Sequence, residues 1–358
     1  MIVFLSTRYS VGGAQMNAVM LAEQFAARGE AVELWFLMKT GEMAQTTAPV
    51  RIISPTPPKG LKGWLALLGN FVVAIRQHKP RGMFAFHPLA CILGALGRVI
   101  GGYRFVATQN NPPESQTAVL GLIEGALGST PLYTANIAVS DAVKMAYGRY
   151  PASYRRKMIT IHNATPPLPE LAEDREACRR RLGLPLDAFI FGAVGRLAEQ
   201  KYPDFLVPVL ERTPDAHLAL AGDGPLRETM HALAARHGVA DRLHLLGGVG
   251  GEDVSRVYRA LDLFVMPSRF EGFGRTLVEA FQAGTPALVN DIAVLREVGG
   301  DAVRFAPLDH DAWADEIQAL IAHPEARSDL IERGRRRALL FTLDGMIDSY
   351  RAAIANRA

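Results

Sequence analysis

Two cations and two carboxylates in the second half of the chain have the types and spacing for chemistry. Arg196 and Lys201 lie in the stretch Gly195-Arg196-Leu197-Ala198-Glu199-Gln200-Lys201, directly after the apolar run Phe189–Val194. A guanidinium offers a planar fork of donors and an ammonium a compact charge, a pairing suited to a diphosphate. Taken alone, the same stretch also reads as a surface loop with ordinary charges. Glu271 and Glu279 bracket Gly272-Phe273-Gly274-Arg275-Thr276-Leu277-Val278. The pattern places Glu271 near the mouth of a strand and Glu279 inside the next helix, where each carboxylate can take a pair of hydroxyls, one on a sugar and one on a ribose. The glycines between them expose backbone N–H groups to phosphate. A helix N-terminal acid followed by a solvated helix Glu is the plainer reading. It is weakened by Leu277, Val278, Ala280 and Phe281 around Glu279, an apolar setting for an unpaired charge.

Other stretches carry less. Gly12-Gly13 lies between an apolar run and a helical pattern, so the backbone there can approach a ligand, but Gly12-Gly13-Ala14-Gln15 lacks the G-x-G-x-x-G spacing of a dinucleotide site. Ala221-Gly222-Asp223-Gly224-Pro225-Leu226-Arg227 reads as a tight turn leaving a strand. Asp309-His310-Asp311 matches a D-x-D metal string, but it sits beside Pro307 at an expected helix start, where Asp is favoured for another reason. Cys91 and Cys178 are far apart and lack metal-ligand spacing, which argues against a disulfide framework or a zinc site and fits a reducing cytosol.

The elements that must position these residues alternate. Ile2–Ser6, a Gly-rich turn, Met16–Arg28 and Val32–Met38 form one strand–helix–strand unit, and short apolar runs recur at Arg51–Ser54, Met83–Phe86, Phe105–Thr108, Ile137–Ser140 and Ile159–His162. Pro166-Pro167-Leu168-Pro169 and the charged stretch Glu170–Arg181 read as a linker entering a helix. The alternation then restarts at Phe189–Val194, His217–Ala221, Leu243–Leu246, Leu263–Met266 and Ala287–Asn290. Two such series predict an α/β chain of two doubly wound Rossmann-like domains facing a central cleft, with ligands beyond the carboxyl ends of the strands. The expected domains are 1–165 and 166–342. Leu343, Ile347, Tyr350 and Ile354 give the last segment an apolar stripe.

Composition fits a globular protein: 358 residues, 49% hydrophobic and 21% charged. Residues 1–170 carry 16 Lys and Arg against 8 Asp and Glu, and the remainder 23 against 28. A basic first half suits an anionic partner such as a phospholipid surface or lipid diphosphate, and equally a solvated surface. Lys59, Lys62, Arg76, Lys79 and Arg81 flank the apolar Trp64–Ile75, which is either a segment that docks on an anionic membrane or a helix with basic ends. No signal peptide or membrane-spanning run is evident, so the expected location is cytoplasmic, with peripheral contact at the inner face of the plasma membrane.

Four stretches, in order and at good spacing, resemble glycosyltransferase family 4, retaining enzymes of the GT-B fold. They are Gly195-Arg196-Leu197 with Lys201, Gly222-Asp223-Gly224-Pro225-Leu226, Pro267-Ser268-Arg269-Phe270-Glu271-Gly272-Phe273-Gly274, and Glu279-Ala280-Phe281-Gln282-Ala283-Gly284-Thr285-Pro286. The resemblance spans the chain and is strongest over residues 190–300, and its nearest likeness is to bacterial surface-glycan enzymes. It implies that Arg196 and Lys201 hold the diphosphate of a nucleotide sugar, UDP-linked by family frequency, and stabilise the leaving group. It implies that Glu279 binds the ribose hydroxyls and Glu271 the donor sugar, with Gly195, Gly272, Phe273 and Gly274 around the phosphates. Gly13 would let the first domain close on the diphosphate, and helix 343–358 would complete that domain. Many members carry a His where this chain reads Gln109-Asn110-Asn111-Pro112. Gln109, Asn110 or His87 would take its place. The implied reaction is metal-independent and needs no cofactor, and the implied acceptor is a glycan or polyprenyl-diphosphate-linked glycan rather than a nucleic acid. A sugar-nucleotide epimerase and a non-catalytic binding module are the rival readings.

Overall fold

The computed structural model describes residues 1–9, 13–41 and 46–355. It divides into two compact units, Met1–His162 with Asp344–Ala358, and Asn163–Leu343.

The first unit runs β1 (Ile2–Tyr9), α1 (Gly13–Ala27), β2 (Val32–Lys39), β3 (Val50–Ser54), α2 (Gly60–His78), β4 (Gly82–Phe86), α3 (Pro88–Gly101), β5 (Arg104–Gln109), α4 (Ala118–Gly128), β6 (Ala135–Ala138), α5 (Asp141–Ala146), α6 (Ala152–Arg155) and β7 (Met158–Thr160). The sheet order is β3-β2-β1-β4-β5-β6-β7, all parallel. Its strands are near-continuous apolar runs because helices cover both faces. On one face Val3, Leu5, Trp35, Met83 and Phe105 form a core with Leu67, Phe71 and Ile75 of α2 and Ala90 and Cys91 of α3. On the other, Phe4 stacks with Phe84 and meets Phe25 of α1 edge-on.

The second unit continues with α7 (Arg175–Leu182), β8 (Phe189–Val194), α8 (Leu206–Glu211), β9 (Ala216–Ala221), α9 (Arg227–Arg236), β10 (Leu243–Gly247), α10 (Glu252–Ala260), β11 (Leu263–Met266), α11 (Arg275–Ala283), β12 (Ala287–Asn290), α12 (Ala293–Gly299), β13 (Arg304–Ala306), α13 (His310–Ala322) and α14 (Pro324–Ala338). Its parallel sheet has the order β10-β9-β8-β11-β12-β13. The last helix, α15 (Leu343–Ala355), belongs to the first unit from Asp344 onward. There Tyr350 packs on Phe84, and Ile347 and Tyr350 are fully buried, so the terminal apolar stripe is core packing.

Some elements differ from their sequence pattern. Ser140 does not extend β6; its hydroxyl accepts from Val143 N–H and caps α5. Within the stretch read as a linker entering a helix, the helix starts at Arg175, where Asp174 accepts from Ala177 N–H at 2.8 Å. Strand β13 is three residues long and too short to show a periodicity.

One buried ion pair fastens the amino ends of β8 and β11. Arg179, 4% exposed, donates to the carbonyls of Ala260, Leu186 and Ala188 and to Asp262 Oδ2 at 2.6 Å. Asp262 also accepts from Ile190 N–H at 2.8 Å, so every part of the pair is satisfied.

Candidate active site

In the second unit the strand order reverses between β8 and β11, the place where doubly wound sheets open a crevice at their carboxyl ends. The loops after these two strands carry Arg196, Lys201 and Glu271. Glu271 is almost wholly buried, at 6% exposure, and accepts from Lys201 Nζ at 2.6 Å. A carboxylate this buried requires a partner, and Lys201 supplies it. Arg196 is exposed at the mouth of β8.

Three more contacts stitch the two loops together. Arg269 N–H donates to the Gln200 carbonyl at 2.9 Å, and Gln200 Nε2 donates to the Phe270 carbonyl at 3.1 Å. The Arg269 guanidinium lies over the Tyr202 ring at 3.9 Å from its centroid. Tyr202 has φ of 52°, so the stack helps hold a left-handed residue directly after Lys201. Arg269, Tyr202 and Gln200 carry no sign of this role in the sequence, because the contacts join loops some 70 positions apart.

Gly222 explains itself sterically. Its φ is 140°, and a Cβ there would meet the Gly195 carbonyl oxygen at 1.9 Å. The turn 222–226 thus lies against the Arg196 loop, with Leu197 N–H donating to Asp223 O at 3.0 Å and Leu226 N–H to Leu197 O at 3.1 Å. The motif read as a turn is a buttress for the cation loop.

Glu279 lies one turn into α11, which starts behind Gly274 in a left-handed conformation with φ of 91°. Tyr258 of α10 places its hydroxyl 2.9 Å from Glu279 Oε2 and 3.1 Å from the Thr276 carbonyl. Burial pushes the Glu279 carboxyl above the usual range, against the opposing pull of Arg275, the Tyr258 hydrogen bond and Lys201. Tyr258 was missed in the sequence because an aromatic on an amphipathic helix gives no local sign of its partner. Phe273 is 2% exposed and packs edge-on against Phe341 at 5.2 Å, so only the backbone of the Gly272-Phe273-Gly274 segment is suited to meeting a ligand.

In the first unit the candidates separate. Gln109 ends β5 but points inward. It is 4% exposed, donates to Glu124 and to Asn136 Oδ1 at 3.1 Å, and accepts from the Tyr147 hydroxyl at 2.9 Å. Its amide, expected to face a sugar, is engaged in this internal network. Asn110, the next residue, is partly buried and donates to the carbonyl of Thr108, two residues back, at 3.3 Å.

His87 follows β4 at the start of α3 with φ of 81°, outside the regions that β-carbon residues prefer. Its Nδ1 lies 3.3 Å from Ser6 Oγ at the adjacent end of β1. Burial lowers its pKa to about 4, with Arg8 acting in the same direction, so the ring is neutral at pH 7. A strained, neutral imidazole at a strand's carboxyl end fits a hydrogen-bonding role. Gly13 opens α1 and is exposed, while Gly12, read with it as a turn, lies outside the described residues. Asp309 caps α13 by accepting from Ala312 N–H at 2.9 Å, and Asp311 pairs with Arg212, which accounts for both acids of the D-x-D string.

Comparison with known proteins extends this geometry. Residues 174–337, just under half of the chain, match the family model "Glycosyl transferases group 1". The D-inositol 3-phosphate glycosyltransferase of Xylanimonas cellulosilytica is 36% identical over 211 residues, covering 56% of this chain and 51% of that protein. The enzyme of the same name from Stackebrandtia nassauensis is 27% identical over 400 residues, covering 97% and 88%. The chain thus spans about half of the first relative and most of the second. Among solved structures, Anabaena HepE in complex with UDP and glucose superposes with a TM-score of 0.87 at 21% identity, covering 99% of each chain. WaaG, a glycosyltransferase involved in lipopolysaccharide biosynthesis, superposes with 0.79 at 18%, covering 100% of each. These structures share the two-domain α/β GT-B fold with this chain. Together the likenesses support a transferase enzyme of the glycosyltransferase type, and residues 174–337 carry the group 1 glycosyl transferase pattern.

Proposed function

We propose that the chain is a retaining glycosyltransferase that moves a hexose or N-acetylhexosamine from a UDP-sugar to a glycan or lipid-linked acceptor in surface glycan synthesis. The observation that carries this reading is the pairing of Lys201 with the buried Glu271 at 2.6 Å, at the strand-order reversal and beside Arg196. Lys201 and Arg196 receive the diphosphate and stabilise the charge that develops on it as the sugar leaves. Glu271 is then released to accept from sugar hydroxyls, and Glu279, held by Tyr258, accepts from the ribose. The acceptor hydroxyl attacks the anomeric carbon on the face the diphosphate leaves, and a leaving phosphate oxygen takes its proton. The C–O bond to the diphosphate breaks as the bond to the acceptor forms. No metal or cofactor is required, since cations stand where a metal would. HepE, which has been captured with UDP-glucose, supports the choice of donor.

The test is a panel of UDP-, GDP- and ADP-sugars, followed by calorimetric binding and nucleoside diphosphate release. Binding of UDP-sugars and acceptor-dependent UDP release are expected. Isomerised sugar nucleotide without acceptor would favour an epimerase, and absence of binding to every donor removes the proposal.

A further inference from the structure

In the first unit, α2, α3 and α4 lie side by side over one face of the sheet: Leu67 and Phe71 of α2 and Ala90 and Cys91 of α3 share its core, with Leu127 of α4 packed against it. Each of these helices also carries apolar residues that stay well exposed. In the first half of α2 these are Leu61, Trp64, Leu65 and Leu68, and Leu61 is 76% exposed. On α3 they are Leu96, Val99 and Ile100. On α4 they are Val119, Leu122 and Ile123, and Leu122 is 76% exposed. All three sets follow the i, i+3, i+4 spacing of a helical stripe, so they are organised faces rather than scattered surface residues.

Basic residues predominate around these faces, with Glu114 exposed just ahead of α4. From Met43 to Pro113 the chain has no Asp or Glu and eight Lys and Arg. The acid within the three helices is Glu124, and it is fully buried. Lys59 and Lys62, both exposed, stand at the start of α2 beside its stripe. A second copy of the chain would offer this lysine-flanked face mostly further basic residues. An anionic lipid surface meets both features at once, with headgroup charge for the lysines and an acyl boundary for the leucines.

We infer that the outer side of the α2–α3–α4 layer docks on an anionic phospholipid surface, inserting the stripes of Leu61–Leu68, Leu96–Ile100 and Val119–Ile123. The inference does not depend on the proposed reaction, and its test reads binding rather than turnover.

Trp64 provides the probe. Trp35 and Trp313 are fully buried, while Trp64 is 39% exposed, so a blue shift on binding reports Trp64 entering an apolar medium. The full chain is mixed with phosphatidylcholine vesicles, with or without about 30% phosphatidylglycerol, and followed by co-sedimentation and fluorescence. Salt-sensitive binding to the anionic vesicles with a blue shift is expected. Lys59→Gln and Lys62→Gln should each weaken it about fivefold, and Leu65→Asp or Leu122→Asp about tenfold or more. Both leucines are exposed, and unchanged circular dichroism and melting of either variant shows that the fold is kept. Three results overturn the inference: no partition at low salt, binding that both aspartate variants leave unchanged, or a dimer in sedimentation equilibrium that Leu122→Asp dissolves.

Discussion

Glu271→Gln separates the sugar from the diphosphate. The substitution keeps the shape of the side chain and removes its charge. The Lys201 ammonium donates to Glu271 Oε1 at 2.6 Å, with side-chain exposures of 28% and 7%. A hydrogen bond between charged groups contributes about 1.5–3 kcal/mol. The variant retains a neutral acceptor for Lys201 and no longer buries a carboxylate, so the net loss of stability should be only about 1 kcal/mol. Binding should respond in the opposite sense. With Glu271 neutral, the Lys201 charge is no longer offset, and UDP should bind as well as before or up to about fivefold more tightly. Recognition of the sugar loses a charged acceptor, and turnover of a UDP-sugar should fall about tenfold to a hundredfold. Calorimetry with UDP and UDP release from the UDP-sugar are the two assays. UDP binding weakened tenfold would contradict these roles, and so would unchanged turnover.

Glu279→Gln should show the reverse pattern, with UDP binding weakened about tenfold and the loss carried by KM rather than kcat; Tyr258→Phe should do the same to a smaller degree. Arg179→Met should destabilise the second unit by about 2–3 kcal/mol, because it takes the guanidinium from three carbonyls and leaves the largely buried Asp262 with only Arg175 and the Ile190 N–H, and urea unfolding measures it. Burial raises the Glu124 carboxyl above its unfolded value of 4.5. The native state therefore holds the proton more tightly than the unfolded chain, and stability should fall as pH climbs above about 4.5, levelling off once the folded group has ionised. Glu124→Gln should remove that slope in unfolding experiments between pH 4 and 8, and a slope that persists would point to another group.

Much of the fold was legible because its strands are buried on both faces. Phe189–Val194, Leu263–Met266 and Ala287–Asn290 coincide with β8, β11 and β12, since an apolar run bounded by Gly, Pro or Asp admits few other structures. Charged residues near those strand ends were legible too, as Lys201 and Glu271 show. What stayed hidden depends on partners distant in sequence. Gln109 reads as a free amide until Glu124, Asn136 and Tyr147 surround it. Arg269 reads as a surface charge until Tyr202 adopts its left-handed turn beneath it. The strain at His87 is equally silent, because φ is a property of the assembled β4–α3 junction rather than of the residue type.

The donor site is tested most directly by titrating UDP into the wild-type chain and into Arg196→Ala with Lys201→Ala, in metal-free buffer containing a chelator. Saturable binding to the wild type is expected, and the double variant should lose it by about a hundredfold or more while keeping its circular dichroism spectrum and melting lower, because Lys201→Ala leaves Glu271 buried without its ammonium. Absence of UDP binding to the wild type, or equal binding to both proteins, would contradict this donor site.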